Sequence, residues 1–138
     1  MEWTKIFPTY IYNRMKTSVL TFISALLVVL IDSIYLNTTS AYFSKQIQSV
    51  QKNPLKLNLT ATVLCYIFII FALNYFIIRK RASVSDAFLL GFAIYGIFEF
   101  TNMALFEKWK WTTVVLDTTW GGILFALVTY FTYTLGNV

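Results

Sequence analysis

The sequence predicts an all-α, polytopic membrane protein: a four-transmembrane-helix bundle with a short interfacial helix between spans 1 and 2. Three observations carry this expectation. Hydrophobic residues make up 58% of the chain and charged residues only 12%, whereas a soluble domain has about 45–50% apolar and about 25% charged residues. The apolar residues fall into four runs, each close to the ~20 residues that a span requires. The basic residues stand at the ends of those runs, where Lys and Arg snorkel to meet anionic headgroups. One bundle uses up the length, so a single membrane domain over residues 1–138 is expected.

The same composition excludes several classes of function. A net charge of +5 does not indicate nucleic acid, because the cations are scattered rather than gathered on one water-facing element. The chain has no histidine, which removes the commonest general base and the commonest transition-metal ligand. Cys65 is the only cysteine, so an intrachain disulfide and a cysteine-based zinc site are both excluded. No nucleophile-plus-base pair, phosphate loop or metal-ligand set is visible. The sequence therefore nominates no catalytic residue, no cofactor and no metal.

Taken in order, residues 1–16 mix aromatic and basic side chains, with Trp3, Arg14 and Lys16 as interface anchors. Pro8 argues against one unbroken helix through this arm. The first span covers about 17–36. It has the position of a signal peptide, but it is long for an apolar core and carries Asp32 in its second half, so it is expected to be retained. Residues 37–58 form an amphipathic surface loop. Phe43, Ile47 and Val50 recur at i, i+4 and i+7 beside Lys45, Gln46, Gln48 and Lys52, as in a helix lying on the bilayer. Asn53-Pro54 should end it. Asn37 and Asn58 head glycosylation tripeptides, but both lie too close to spans to favour modification.

The second span covers 59–78, with Asn74 as its polar member, and Arg79, Lys80 and Arg81 close it as a topological anchor. Ser83 or Ser85 can cap the third span, 84–106, with Asp86 in its first turn. Ala87 and Gly91 form a small pair that lets another helix approach. Glu107 to Trp111 is a tight turn, with Trp109 and Trp111 as further interface anchors. The fourth span, 112–135, carries Thr118, Gly121, Gly122 and Ala126 as its small-residue face. Four spans put both termini on one side. The dense Arg79–Arg81 cluster favours the cytoplasmic or inner side of a cell membrane or a viral internal membrane.

Three carboxylates interrupt the apolar runs, and intramembrane charge is a functional signal by default. Asp32 lies fifteen residues after Thr17 and Glu99 fifteen after Val84, so each is ~22 Å from the terminal side at ~1.5 Å per residue. Asp117 lies five residues after Thr112 on a helix entering from the other side. It is therefore ~8 Å deep, which is again ~22 Å from the terminal side of a ~30 Å core. Tyr95, Glu99, Asn102 and Phe106 share one helical face, Asp117, Trp120, Gly121 and Leu124 another, and Asp32 shares one with Val28, Tyr35 and Leu36. The expected packing gathers Asp32, Glu99, Asn102 and Asp117 into a polar cluster, surrounded by Tyr35, Tyr95, Thr101 and Trp120. Three bare carboxylates in low dielectric cannot all ionise. Protons shared through Asn102, Tyr95 and Trp120, a cation among the acids, or Lys108 or Lys110 reaching down from the turn would each resolve the conflict.

These residues resemble the domain of unknown function 2177 family of small four-span membrane proteins. Asp32-Ser33-Ile34-Tyr35-Leu36 is similar to the family's D-x-x-W-L-G in the first span. Tyr95-Gly96-Ile97-Phe98-Glu99-Phe100-Thr101-Asn102-Met103-Ala104-Leu105 resembles its Y-G-x-Y-D-L-T-N-x-A-T-L stretch, with Glu for Asp at position 99. Trp109, Thr112, Asp117, Trp120 and Gly121 fit its W-x-x-T and D-x-x-W-G blocks. The resemblance covers about residues 17–135. It implies the four-span fold and the cluster, in mostly bacterial proteins with relatives encoded by large DNA viruses, and it implies no activity.

Three functions suit this sequence. The first is a structural or assembly protein of a cellular or virion membrane, in which the polar cluster ties the helices together and the partners are the bilayer, other proteins or further copies. The second is a proton- or cation-coupled carrier or channel component, which clustered acids at one depth would suit. The third is a membrane-embedded, lipid-acting enzyme, which lacks a visible catalytic constellation.

Overall fold

The computed structural model describes the backbone over residues 3–138 and the side chains over residues 16–138. Helix α1 covers Trp3–Gln51 and α2 covers Leu59–Leu73, which passes directly into a π-helical turn at Asn74–Ile78. Helix α3 covers Val84–Leu105 and α4 covers Trp111–Leu135. No strand occurs among the described residues. Four segments are long and apolar enough to cross a membrane: Lys16–Gln51, Leu59–Ile78, Val84–Leu105 and Trp111–Leu135. The last three agree with the expected spans to within a residue or so.

The first span differs from expectation. The segment 37–51 is not a separate helix lying across the bilayer surface, because α1 continues through it without interruption, and the helix also passes through Pro8. Polar contacts at its far end explain this. Gln46 is buried. Its Nε2 donates to the Lys108 carbonyl at 2.9 Å and its Oε1 accepts from Thr113 Oγ1 at 3.2 Å. The Tyr42 hydroxyl bonds Thr112 and Thr113 at 3.0 and 2.9 Å. These contacts hold the end of α1 against the α3–α4 turn. At the other end, Lys16 Nζ donates to the Asn137 carbonyl at 3.3 Å. Helix α1 therefore runs antiparallel along the whole of α4. From Lys16 to Gln46 that is about 45 Å, matching a bilayer of about 40–45 Å with its headgroup regions. Lys52, with φ 60°, turns the chain out of the helix just before Asn53-Pro54.

Asn58 caps α2, accepting from the Ala61 amide at 3.1 Å. Most of α2 faces outward, and its packed residues gather at the far end in Leu73, Asn74, Ile77 and Ile78. The wider π turn is visible in the i+5 bond from the Arg79 amide to the Asn74 carbonyl at 2.9 Å. Asn74 also accepts from Ser24 Oγ at 3.1 Å, which joins α2 to α1. Ser83 then caps α3 in a reciprocal capping box with Asp86.

Helices α3 and α4 form the tightest pairing. Ala87, Gly91, Thr118, Gly121 and Gly122 are all buried between them. A Cβ on Gly91 would overlap the Gly121 carbonyl, and one on Gly121 would overlap the Tyr95 ring. Small residues are needed here because dispersion at close backbone approach substitutes for a hydrophobic force that lipid does not supply.

This packing makes a contrast that can be measured. Gly91→Ala should destabilise the detergent-purified protein by about 1–3 kcal/mol, the usual cost of overpacking. Gly96→Ala, whose Cβ would meet Thr118 Cγ2 at an ordinary 3.4 Å, should be neutral or stabilising by up to about 1 kcal/mol through helix propensity. Unfolding midpoints in a detergent titration check both.

Candidate functional site

The site is assembled from two short patterns on antiparallel helices. Along α1 the buried positions Leu20, Ser24, Val28, Asp32 and Tyr35 follow helical spacing, so Asp32 and Tyr35 lie one turn apart on one face. Along α4, Asp117 and Trp120 have the same three-residue offset. When two such helices run in opposite directions, each acid meets the other helix's aromatic donor. Tyr35 Oη donates to Asp117 Oδ1 at 3.1 Å, and Trp120 Nε1 donates to Asp32 Oδ1 at 2.9 Å. Between the two bonds the Tyr35 and Trp120 rings stack, with centroids 4.2 Å apart and planes 9° from parallel.

Two further donors complete the network. Tyr66 Oη of α2 reaches Asp32 Oδ2 at 2.7 Å, so both oxygens of Asp32 are bonded. Trp109 Nε1, in the α3–α4 turn, donates to Glu99 Oε2 at 2.7 Å. Glu99 Oε1 is buried and has no donor among the described residues. Asp32, Glu99 and Asp117 are 6%, 1% and 9% exposed, which places all three inside the bundle rather than toward lipid.

The expected cluster is thus brought together in part. Asp32, Glu99, Asp117, Tyr35 and Trp120 meet as described. Tyr95 contributes its ring, laid across Gly121, and no side-chain hydrogen bond among the described residues. Asn102 is half-buried on the Glu99 face and likewise makes no side-chain hydrogen bond among the described residues. Thr101 is exposed, its hydroxyl turned back to the Ile97 carbonyl. Leu36 is also exposed. Lys108 and Lys110 stay exposed, and no ion pair to the acids is formed among the described residues. Those residues also contain no group of three side chains that could hold a metal ion.

The interface anchors divide as well. Trp109 enters the cluster, whereas Trp111 is exposed with its ring edge-on to Phe100. Arg79, Lys80 and Arg81 are exposed at the end of α2. The side chains of Trp3 and Arg14 lie outside the described residues. Tyr66 and Ser24 were not among the sequence candidates. Depth could have found Tyr66, because it lies seven residues after Leu59. It is therefore about 10 Å in from the same side as Asp117. Ser24 lies eight residues before Asp32, about 12 Å away along α1, and forms a second, uncharged tie at another level.

Fold and site together define a class: a four-span membrane protein whose helices are joined through buried carboxyl groups and aromatic donors. A family model described as "Predicted membrane protein (DUF2177)" matches residues 17–137, and the chain belongs to that family. No curated protein and no solved structure matches the chain.

The network predicts a local loss at α2. Tyr66→Phe removes one donor from Asp32 and should cost about 0.6 kcal/mol, up to about 1.7, the range for interhelical hydrogen bonds in membranes. Cys65→Ala, at the neighbouring exposed position, should leave stability within about 0.5 kcal/mol. Detergent unfolding of the two variants side by side checks this.

Proposed function

We propose that the protein is an integral membrane assembly component, a rigid four-helix unit against which other membrane proteins or further copies pack. One observation carries the proposal: each of the three buried acids accepts a hydrogen bond from a donor outside its own helix. Such an arrangement spends the acids on holding helices together. The outward faces, rich in exposed Leu, Ile, Val and Phe, supply apolar surface to lipid or to partners. The membrane would be a cellular or a viral internal one, with the terminal side facing the cytoplasm or interior, as the Arg79–Arg81 cluster suggests.

A second reading rests on Glu99 Oε1. That oxygen is buried with no donor among the described residues, so a proton or a small cation could be the partner it takes. A site of that kind is what a proton- or cation-coupled carrier or channel uses.

Reconstitution separates the two readings. In liposomes carrying a pH- or cation-sensitive dye, the assembly role predicts no flux through wild-type protein. Asp117→Asn should then lower yield and complex recovery only modestly. A wild-type flux that disappears in folded Glu99→Gln would replace the assembly role with the coupled-carrier reading.

A further inference from the structure

Beyond an assembly role, we propose that the turn between α2 and α3 is a preformed binding site for the headgroup of an anionic phospholipid. Arg79, Lys80 and Arg81 are exposed there and make no ion pair among the described residues. The nearest acid in sequence, Asp86, is already committed. Its Oδ2 accepts from the Ser83 amide at 3.2 Å and from Ser83 Oγ at 2.7 Å. Three cations are therefore left uncompensated where a span ends, at the level of lipid phosphates.

The turn is held in shape from several directions. Arg81 adopts a left-handed conformation with φ 54°. The Arg81 and Ala82 amides bond back to Ile78 and Ile77 at 3.2 and 3.1 Å. Tyr133 Oη, from α4, donates to the Ala82 carbonyl at 2.8 Å. Below the turn, Ser24 holds Asn74. The π turn also sets the side-chain register, because its wider repeat places residues i+4 and i+5 over residue i. Arg79 and Lys80 consequently both sit over the Tyr75 ring, at 6.0 and 5.6 Å, and Lys80 also lies 5.5 Å from the Phe76 ring. Both rings are about half exposed on the lipid side. Cations at phosphate level and aromatic rings one turn deeper form one continuous surface. A free phosphate would use only the cations, whereas a phospholipid uses the rings as well, through its glycerol and upper acyl chain.

The test uses the full chain, purified in detergent and mixed with equal phosphatidylglycerol and phosphatidylcholine, with retained lipid counted by native mass spectrometry. Wild-type protein should retain phosphatidylglycerol in preference. Lys80→Gln should weaken that retention several-fold, and Tyr75→Ala/Phe76→Ala should weaken it with the cations intact. Lys45→Gln/Lys52→Gln/Lys56→Gln, toward the opposite end of the bundle, should leave it unchanged, with circular dichroism confirming helicity throughout. Equal retention of the two lipids by wild-type protein, or an equal loss in the opposite-end variant, overturns the proposal. Displacement of the lipid by millimolar inorganic phosphate overturns the assignment to a phospholipid.

Discussion

A carboxyl group inside a bilayer must find hydrogen-bond donors within the protein, because hydrocarbon offers none. Here the donors come from other elements, and the geometry follows from one repeated offset. Asp32 and Tyr35 on α1, and Asp117 and Trp120 on α4, are each an acid followed three residues later by an aromatic donor. On antiparallel helices the two pairs interlock, each acid taking the other pair's donor, with the stacked rings between them. Slipping α1 along α4 by one turn would break both bonds at once, leaving Asp117 without its Tyr35 donor and Asp32 with Tyr66 alone. Removing one partner of a buried pair costs more than the net gain from forming it. The clasp therefore selects a register more than it adds stability.

The rest of the bundle is arranged around that register. With α1 and α4 fixed, Gln46 and Lys16, toward the two ends of the first span, meet the α3–α4 turn and the residues just after α4. Helix α2 packs chiefly through its last residues. It is secured to α1 by two polar ties, Tyr66 to Asp32 and Ser24 to Asn74, roughly 12 Å apart along α1. Helix α3 instead uses close approach, with Gly91 against Gly121, and buries Glu99, which accepts from Trp109 of the following turn. Glu99 is the one acid of the three with a buried oxygen left without a donor. Structure and candidate chemistry therefore diverge at that single atom.

Much of the fold was legible in the sequence, because span length, terminal charges and small-residue spacing each have a direct physical cause. The common depth of Asp32, Glu99 and Asp117 followed from rise per residue alone. What sequence could not supply was rotation beyond one helix and the path of the chain outside regular periodicity. Trp109 lies in a turn, where no helical repeat indicates that its indole folds back onto Glu99. Helical spacing puts Asn102 on the Glu99 face and Thr101 beside the cluster, yet Asn102 finds no side-chain bond among the described residues and Thr101 turns to its own helix backbone. The segment 37–51 has the periodicity of a surface helix. The same spacing serves equally well to pack an extended α1, and Gln46 decided between them through contacts distant in sequence. Pro8 did not end the helix in which it lies.

The claim at the centre of this account is that Asp32 and Trp120 are coupled across two helices. A double-mutant cycle of Asp32→Ala and Trp120→Phe, read from unfolding free energies in bicelles, measures that coupling directly. The account predicts a favourable interaction of about 0.6–1.7 kcal/mol for this pair. Additive losses within about 0.3 kcal/mol would contradict it, and would mean that the acid and the indole are neighbours without forming the tie on which the register depends.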